Sequence, residues 1–313
     1  MTLSLLKSLA DSTRLRLVAI LFRGEFTVQE LTEILDMGQS RVSRHLKLLL
    51  DEKILSVRRQ GTWSYYRACK ENPLFVEIWP VLDATLAMEA FPREDLGAMA
   101  AIYEKRRRKS QDFFNHHASE WDGLSHRLLP TTPYAEQLFD RILPCQNLVE
   151  VGVGTGNLLP SLVFLAQTVV GVDQSPAMLA QARQRISLDG PCHIELRLGE
   201  MSHLPVLSAS ADLVLVNMVL HHAANPGKAF KEFARILKDE GKVVIADLLP
   251  HQYEWARESL ADLWLGFERG DLESWLDEAG LFLADYRTIH GTADRQGVFI
   301  LEAIKRCTEQ ITK

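Results

Sequence analysis

Apolar residues recur at helical spacing close to the start of the chain. Leu15, Leu17, Val18, Leu21 and Phe22 stand behind Ser12, a residue type that caps helices well, and predict a helix over 12–22 that Gly24 ends. A second helix over 27–35 turns Val28, Leu31, Ile34 and Leu35 inward, and after Asp36-Met37-Gly38 a third over 39–51 buries Val42, Leu46 and Leu49. Two helices across so short a turn make a helix-turn-helix. Two β-prone runs, 55–59 and 63–68, separated by Gln60-Gly61-Thr62, then predict a hairpin. Phe75, Trp79, Leu82 and Leu86 predict a helix over 73–90 whose apolar seam suits core packing and a dimer contact equally. Pro92 ends that segment. Residues 93–119 read as a long polar helix, and its run Lys105-Arg106-Arg107-Arg108-Lys109 is expected to form a solvated linker face.

Further along the pattern changes. Strand-like runs at 148–151, 167–172, 194–198, 213–217 and 242–247 alternate with helical ones, which predicts a mainly parallel sheet wrapped by helices. A chain of 313 residues accommodates about two domains. The expected division is a first domain over 1–91, a helical linker and lid over 92–122, and a second domain over 123–313.

Charge separates the two parts. Residues 1–110 carry a net +4 and 111–313 a net −10, so only the first part suits a polyanion. On the third helix Ser40, Ser43, Arg44 and Lys47 project opposite the buried stripe, with Arg41 on its flank, while Arg58, Arg59 and Arg67 lie near the hairpin's tip and side. Arginine bridges guanine acceptors, hydroxyls reach bases or phosphates, and lysine neutralises phosphate. Helix, helix, recognition helix and basic hairpin, opening on "LADSTRLRLV" at 9–18, resemble the winged-helix domain of ArsR-type bacterial repressors. The resemblance implies a homodimer on double-stranded operator DNA, contacted by Ser40, Arg41, Ser43, Arg44, Lys47, Arg58 and Arg59. Metal-sensing members carry a cysteine pair at the start of the helix before the recognition helix. Val28-Gln29-Glu30-Leu31 stands there instead, so sensing of soft metals at that place is not expected.

The first strand of the second part runs into Glu150-Val151-Gly152-Val153-Gly154-Thr155-Gly156-Asn157. Alternate glycines let the backbone pass close to a ligand, but Asn157 stands where a dinucleotide fingerprint needs glycine. Asp173, 21 residues beyond Gly152, accepts hydrogen bonds only when ionised and suits both hydroxyls of a ribose. Glu200 and Met201 could hold an adenine edge and face, and Asn217 closes the fourth strand ahead of Met218-Val219-Leu220-His221-His222. With "GVDQSPAMLAQAR", "DLVLVNMVLHH" and the closing pair "FLADYRTIHG" and "GVFILEAIK", this part resembles a class I S-adenosylmethionine-dependent methyltransferase. The resemblance implies S-adenosylmethionine or S-adenosylhomocysteine held by Glu150, Gly152, Gly154, Gly156, Asp173, Gln174, Glu200 and Met201, with Asn217 near the methyl donor. Trp121 and Tyr134 wall a pocket or fill core.

His221 and His222 are candidate general bases for an acceptor proton, or hydrogen-bonded scaffold. Adjacent side chains diverge and no third ligand lies at a recognisable spacing, so no metal is expected. A DNA methyltransferase would carry Asn/Asp-Pro-Pro-aromatic at the fourth strand. Asn217-Met218-Val219-Leu220 replaces it, which argues against base methylation.

Composition narrows the class. Apolar residues make up 47% and charged residues 24%, which excludes intrinsic disorder. The longest nearly uncharged apolar run, 213–220, is far short of the ~20 residues that span a bilayer, and 1–22 lacks a signal-peptide core, so the chain is expected in the cytoplasm away from membranes. Cys69, Cys145, Cys192 and Cys307 are widely spaced and expected as buried free thiols. The fold expected is an α+β winged helix-turn-helix domain followed by an α/β Rossmann-like class I methyltransferase domain, a mainly parallel sheet with an antiparallel last strand. The function expected is DNA-binding transcription regulation with the adenosyl ligand as effector, as some fused regulators of this type respond to S-adenosylhomocysteine. The alternative is an active methyltransferase on a small acceptor with a fused autoregulatory DNA-binding domain.

Overall fold

Residues 2–69, 72–88, 93–128, 131–186 and 192–306 are described by a computed structural model, and the chain divides into two units, Met1–Arg106 and Arg107–Lys313. The first unit runs α1 (Thr2–Leu9), α2 (Ser12–Phe22), β1 (Phe26–Thr27), α3 (Val28–Leu35), α4 (Gln39–Asp51), β2 (Leu55–Gln60), β3 (Trp63–Ala68) and α5 (Pro73–Met88). It then enters α6 (Arg93–His117), inside which the unit boundary falls.

Helix starts in this unit are set by side-chain caps. Asp11, and not Ser12, caps α2, its Oδ1 accepting the Arg14 N–H at 3.0 Å, because the residue one step earlier is the one that reaches the third helical amide. Thr27 caps α3 rather than opening it. The Thr27 side chain accepts the Glu30 N–H, and Glu30 accepts the Thr27 N–H at 2.8 Å, a reciprocal capping box. α4 spans the predicted residues, with Val42, Leu46 and Leu49 buried. The hairpin pairs Leu55 with Ala68 through Gln60 with Trp63 across a two-residue Gly61-Thr62 turn, and β1 adds on to β3. Gly61 takes φ +58°, the left-handed backbone such turns require.

Phe75 and Trp79 of α5 are buried with Leu17, Leu31 and Leu46 in one core, and Leu82 and Leu86 are half-buried against it. The seam therefore packs inward. The expected end of this helix at residue 90, Pro92 and the 91/92 boundary lie outside the described residues, as does Cys307. In the charged run on α6, Lys105, Arg108 and Lys109 are exposed as expected, and Arg106 is the departure. Arg106 is buried beneath the rings of Phe26, Tyr65 and Tyr103, with Nε and Nη2 donating to the two Glu30 carboxylate oxygens at 2.8 and 2.7 Å. A paired carboxylate and three π-faces offset the cost of burying its charge.

The second unit takes the rest of α6, then α7 (Trp121–Leu128), α8 (Ala135–Phe139), β4 (Cys145–Val151), α9 (Leu159–Leu162), β5 (Ala166–Asp173), α10 (Pro176–Gln184), β6 (His193–Leu198) and β7 (Ala211–Asn217). It continues through α11 (Pro226–Ile236), β8 (Leu237–Leu248), α12 (Ala256–Ser259), α13 (Arg269–Ala279), β9 (Leu281–Ile289) and β10 (Val298–Lys305). The seven strands lie in the order β6-β5-β4-β7-β8-β10-β9. The first five are parallel, and β10 runs antiparallel between β8 and β9. Consecutive buried residues at the ends of β4 and through β7 and β8 reflect a sheet covered on both faces. From β4 the chain proceeds outward to β5 and β6, then returns to the other side for β7. The crevice at that reversal, at the carboxyl ends of β4 and β7, is where such sheets bind ligands.

Candidate functional site

That crevice is a cavity of about 430 Å³, of the size that holds a small organic ligand. Its glycine loop leaves β4 in left-handed backbone. At Gly152 (φ +71°) a Cβ would come within 2.3 Å of Val219 Cγ2, so only glycine fits. At Gly154 (φ +53°) a Cβ would meet nothing nearer than the Gly152 carbonyl oxygen at 3.9 Å, so the backbone's open side faces the cavity. Gly156 does not line it. Its missing Cβ lets the loop pack against Leu159 and Ala182.

Asp173, at the end of β5, accepts the Gly154 N–H at 2.9 Å and the Ser175 N–H at 2.8 Å. Burial pushes its carboxyl up to about 6 even against those amide bonds. Glu150 lines the same wall, 3% exposed, with no partner for Oε2 among the described groups. Burial, and then the neighbouring Asp173, push it up to about 8. Glu200 is held by the Ser202 hydroxyl at 2.5 Å and by Arg107 of α6 at 3.5 Å, and Met201 lies beside it on the wall. Gln174 lines the cavity while its carbonyl accepts from Gln111 and its amide donates to Ser110 Oγ. Asn217 Oδ1 accepts the Tyr134 hydroxyl at 3.0 Å, so Tyr134 is a cavity residue and not only core. Trp121 is another, packed edge-on to Phe114 at 4.9 Å. Its neighbour Asp122 binds Thr155, Asn157 and Arg185, tying α7 to the glycine loop.

The two histidines do not diverge. A single 3-10 turn, Leu220–His222, brings their rings to 4.0 Å, and both face Asp262, the third group that spacing did not reveal. His221 Nδ1 lies 2.7 Å from Asp247 Oδ1, while Asp247 Oδ2 accepts the Leu220 N–H at 2.8 Å. Burial opposes a charge on His221, but Asp247 and Asp262 outweigh it and push the imidazole up to about 9. Burial and the neighbouring His221 hold His222 well below the usual imidazole range, so it is neutral. Burial raises Asp262 to about 6, with His221 pulling against it. The signal for Asp262 was present: one ionisable residue inside the apolar stretch Leu260-Ala261-Asp262-Leu263-Trp264.

In the first unit, Ser40, Arg41, Ser43, Arg44 and Lys47 are all exposed on α4. Arg59 is exposed on the hairpin. Arg58 is not presented in the same way, because its guanidinium binds Glu25 at 2.8 Å with both side chains largely buried, and Arg67 reaches the same carboxylate. Residues 11–57, which hold α2, α3 and α4, match the bacterial regulatory protein, arsR family, and residues 149–245, which hold the glycine loop, Asp173, Glu200 and both histidines, match the methyltransferase domain family. The chain joins an ArsR-family helix-turn-helix to a methyltransferase domain.

Relatives divide along the same line. The methyltransferase part is 31% identical over 172 residues to an arsenite methyltransferase of Halobacterium salinarum, covering 52% of this chain and 43% of that one. The helix-turn-helix part is 46% identical over 72 residues to the arsenic resistance transcriptional regulator ArsR1 of Pseudomonas putida, covering 23% of this chain and 56% of that one. The chain thus spans about half the length of these relatives. A chain from the complex between the Haloferax volcanii Trm112 methyltransferase activator and a methyltransferase superposes with a TM-score of 0.52 at 21% identity, over 62% of this chain and 98% of that one, a likeness of fold. Among the described residues no cysteine lines the cavity: Cys69 is buried in the first unit, and Cys145 and Cys192 are half-buried, less enclosed than expected. No described helix is long and apolar enough to cross a membrane.

Proposed function

We propose that the chain is a DNA-binding transcription regulator whose methyltransferase-like unit takes S-adenosylmethionine or S-adenosylhomocysteine as effector. The observation that carries this reading is α6, which takes part in both units. Arg106 on it binds Glu30 of α3, the helix before the recognition helix, while Arg107 and Gln111 bind Glu200 and the Gln174 carbonyl on the ligand wall. A ligand that displaces Arg107 from Glu200 therefore acts on a helix that also braces the helix-turn-helix. Exposed Leu3, Leu6 and Val81 on α1 and α5 support a homodimer, the state that suits a two-fold operator.

An effector shifts DNA binding only by its differential affinity for the competent and incompetent states. The two adenosyl ligands differ by one methyl and one positive charge, so discrimination resides at the sulfur. Operator titrations without ligand and with each ligand, beside a labelled-methyl assay against cell extract, test the reading. The expected result is a several-fold change in operator affinity with S-adenosylhomocysteine, a weaker or opposite one with S-adenosylmethionine, and no methyl on DNA. Equal affinities in all three states together with a labelled small-molecule product would overturn it.

The second reading, methyl transfer to a small acceptor, is favoured by one feature: the polar cluster of His221, His222, Asp247 and Asp262 exceeds what holding a nucleoside requires. Arsenite as that acceptor is not supported, because trivalent arsenic seeks thiolates and no described cysteine lines the cavity.

A further inference from the structure

The cavity wall that holds Asn217 also carries His221, His222 and Asp262. We propose that His221, His222 and Asp262 form a binding site for a divalent transition-metal ion of the Zn²⁺ type, open to the adenosyl cavity. Each of the three offers one donor atom, and these lie within 4.8 Å of one another. Asp262 Oδ1 is 3.8 Å from His221 Nε2 and 3.9 Å from His222 Nδ1. Metal–ligand bonds of about 2.0–2.1 Å in a tetrahedron set donors about 3.4 Å apart, so donors that now lie within 4.8 Å of one another must close by roughly half to one and a half ångströms, through rotation of the three side chains.

Three observations favour a cation over a closed ion pair. Asp262 is 2% exposed, yet neither of its oxygens has a hydrogen-bond partner among the described groups; His222 Nδ1 lies 3.2 Å from the Ala261 carbonyl, a contact that an ion bound at Nδ1 replaces. The 3.8 Å separation from His221 is too long for a hydrogen bond, so His221 does not satisfy the carboxylate. His221 is also oriented as metal-bound histidines are, its other nitrogen engaged by a buried carboxylate, Asp247, which leaves Nε2 directed towards Asp262.

Donor type selects the ion. Two imidazoles and one carboxylate suit zinc and its neighbours and not calcium or magnesium, which take oxygen ligands. Three protein ligands leave a fourth position for water or a bound small molecule, and His221, His222 and Asp262 all line the cavity. The segments that supply them are held in place by non-glycine residues in left-handed backbone, Met218 at φ +50° and Ala261 at φ +60°, conformations that accumulate at constrained functional positions.

Co²⁺ is the probe, because its visible spectrum reports the ligand set. The full chain, free of any affinity tag and stripped with a chelator, is titrated with Co²⁺ in the absence of DNA and nucleoside, so the outcome does not depend on the regulatory reading. One equivalent per chain is expected, with the visible bands of four- or five-coordinate Co²⁺, no thiolate charge-transfer band, and displacement by Zn²⁺. Asp262→Asn and His222→Gln should each lower affinity at least tenfold, and Cys145→Ala with Cys192→Ala should leave it unchanged. Circular dichroism identifies which of the two site variants is folded, and one folded variant suffices. Failure to bind a stoichiometric ion, a thiolate band, or full affinity in a folded site variant would each overturn the proposal.

Discussion

Asp173 and Gly154 divide the work at the ligand wall between an acceptor and a space. Asp173→Ala removes the acceptor proposed for a ribose, and Gly154→Val fills a loop position whose open side meets the cavity. Calorimetry with S-adenosylhomocysteine should show at least a tenfold loss for each, with the circular dichroism spectrum retained. Unchanged affinity in both would sink the assignment. Glu150 makes a separate prediction about pH. Its carboxyl is pushed from the usual value near 4.5 up to about 8 in the fold, so between those values the native state holds a proton that the unfolded chain has lost. Stability from this group therefore falls as pH rises through that window and levels above it. Glu150→Gln lacks the loss, so its stability relative to wild type should rise between pH 5 and pH 8 by on the order of a few kcal/mol, read as a steady gain in its melting temperature relative to wild type. A pH-independent difference would refute the raised carboxyl. Asp173 was legible because the glycine loop, the short helix α9 and strand β5 set its distance from Gly152. Asp262 stood out as a lone ionisable residue in an apolar stretch, but its meeting with the histidines did not, because α11, β8 and α12 lie between them in the chain. The packing of Gly156 against Leu159 and Ala182 was not legible, because packing glycines and cavity-lining glycines look alike in a motif.

At the scale of the element, the recognition helix was readable almost to the residue, since α4 has a strict apolar stripe and its outer face depends on that stripe alone. Arg44→Ala should cost about 1–3 kcal/mol of operator affinity with loss of discrimination at one base pair, whereas Lys47→Ala should lower the salt dependence by about one unit. Salt titrations in which both variants match wild type would show that this face does not meet DNA. Arg58 and Arg106 mark where element-level reading stops. Both are basic residues in basic runs, yet their partners, Glu25 and Glu30, come from distant segments and convert them from surface charge into buried braces. Arg106→Ala leaves the half-buried Glu30 carboxylate without its cation, held only by its capping bonds to Thr27, and should destabilise the first unit by about 3 kcal/mol. Hydrogen exchange would show amides of α2, α3 and α4 losing protection while those of β4 and β7 keep theirs. Uniform loss across both units, or none, would contradict the brace.

Across the whole molecule, linkage imposes a symmetric test on the regulatory reading. Whatever factor S-adenosylhomocysteine applies to operator affinity, operator must apply to S-adenosylhomocysteine affinity. Fluorescence anisotropy for the first and calorimetry on the operator complex for the second should agree within error, and a large effect in one direction alone would mean that the two measurements do not concern one equilibrium. The seven-strand sheet carries a consequence of another kind, in the time order of synthesis. β10 lies between β8 and β9 but is translated after both, about fifty residues behind the end of β8. At roughly 5–20 residues per second, β8 leaves the ribosome some seconds before its neighbour exists. For that interval a nascent chain carries an apolar strand edge that only its own last strand will cover. A chain interrupted before residue 298 never covers it, so incomplete copies carry a standing mark for chaperones and proteases that finished copies lack.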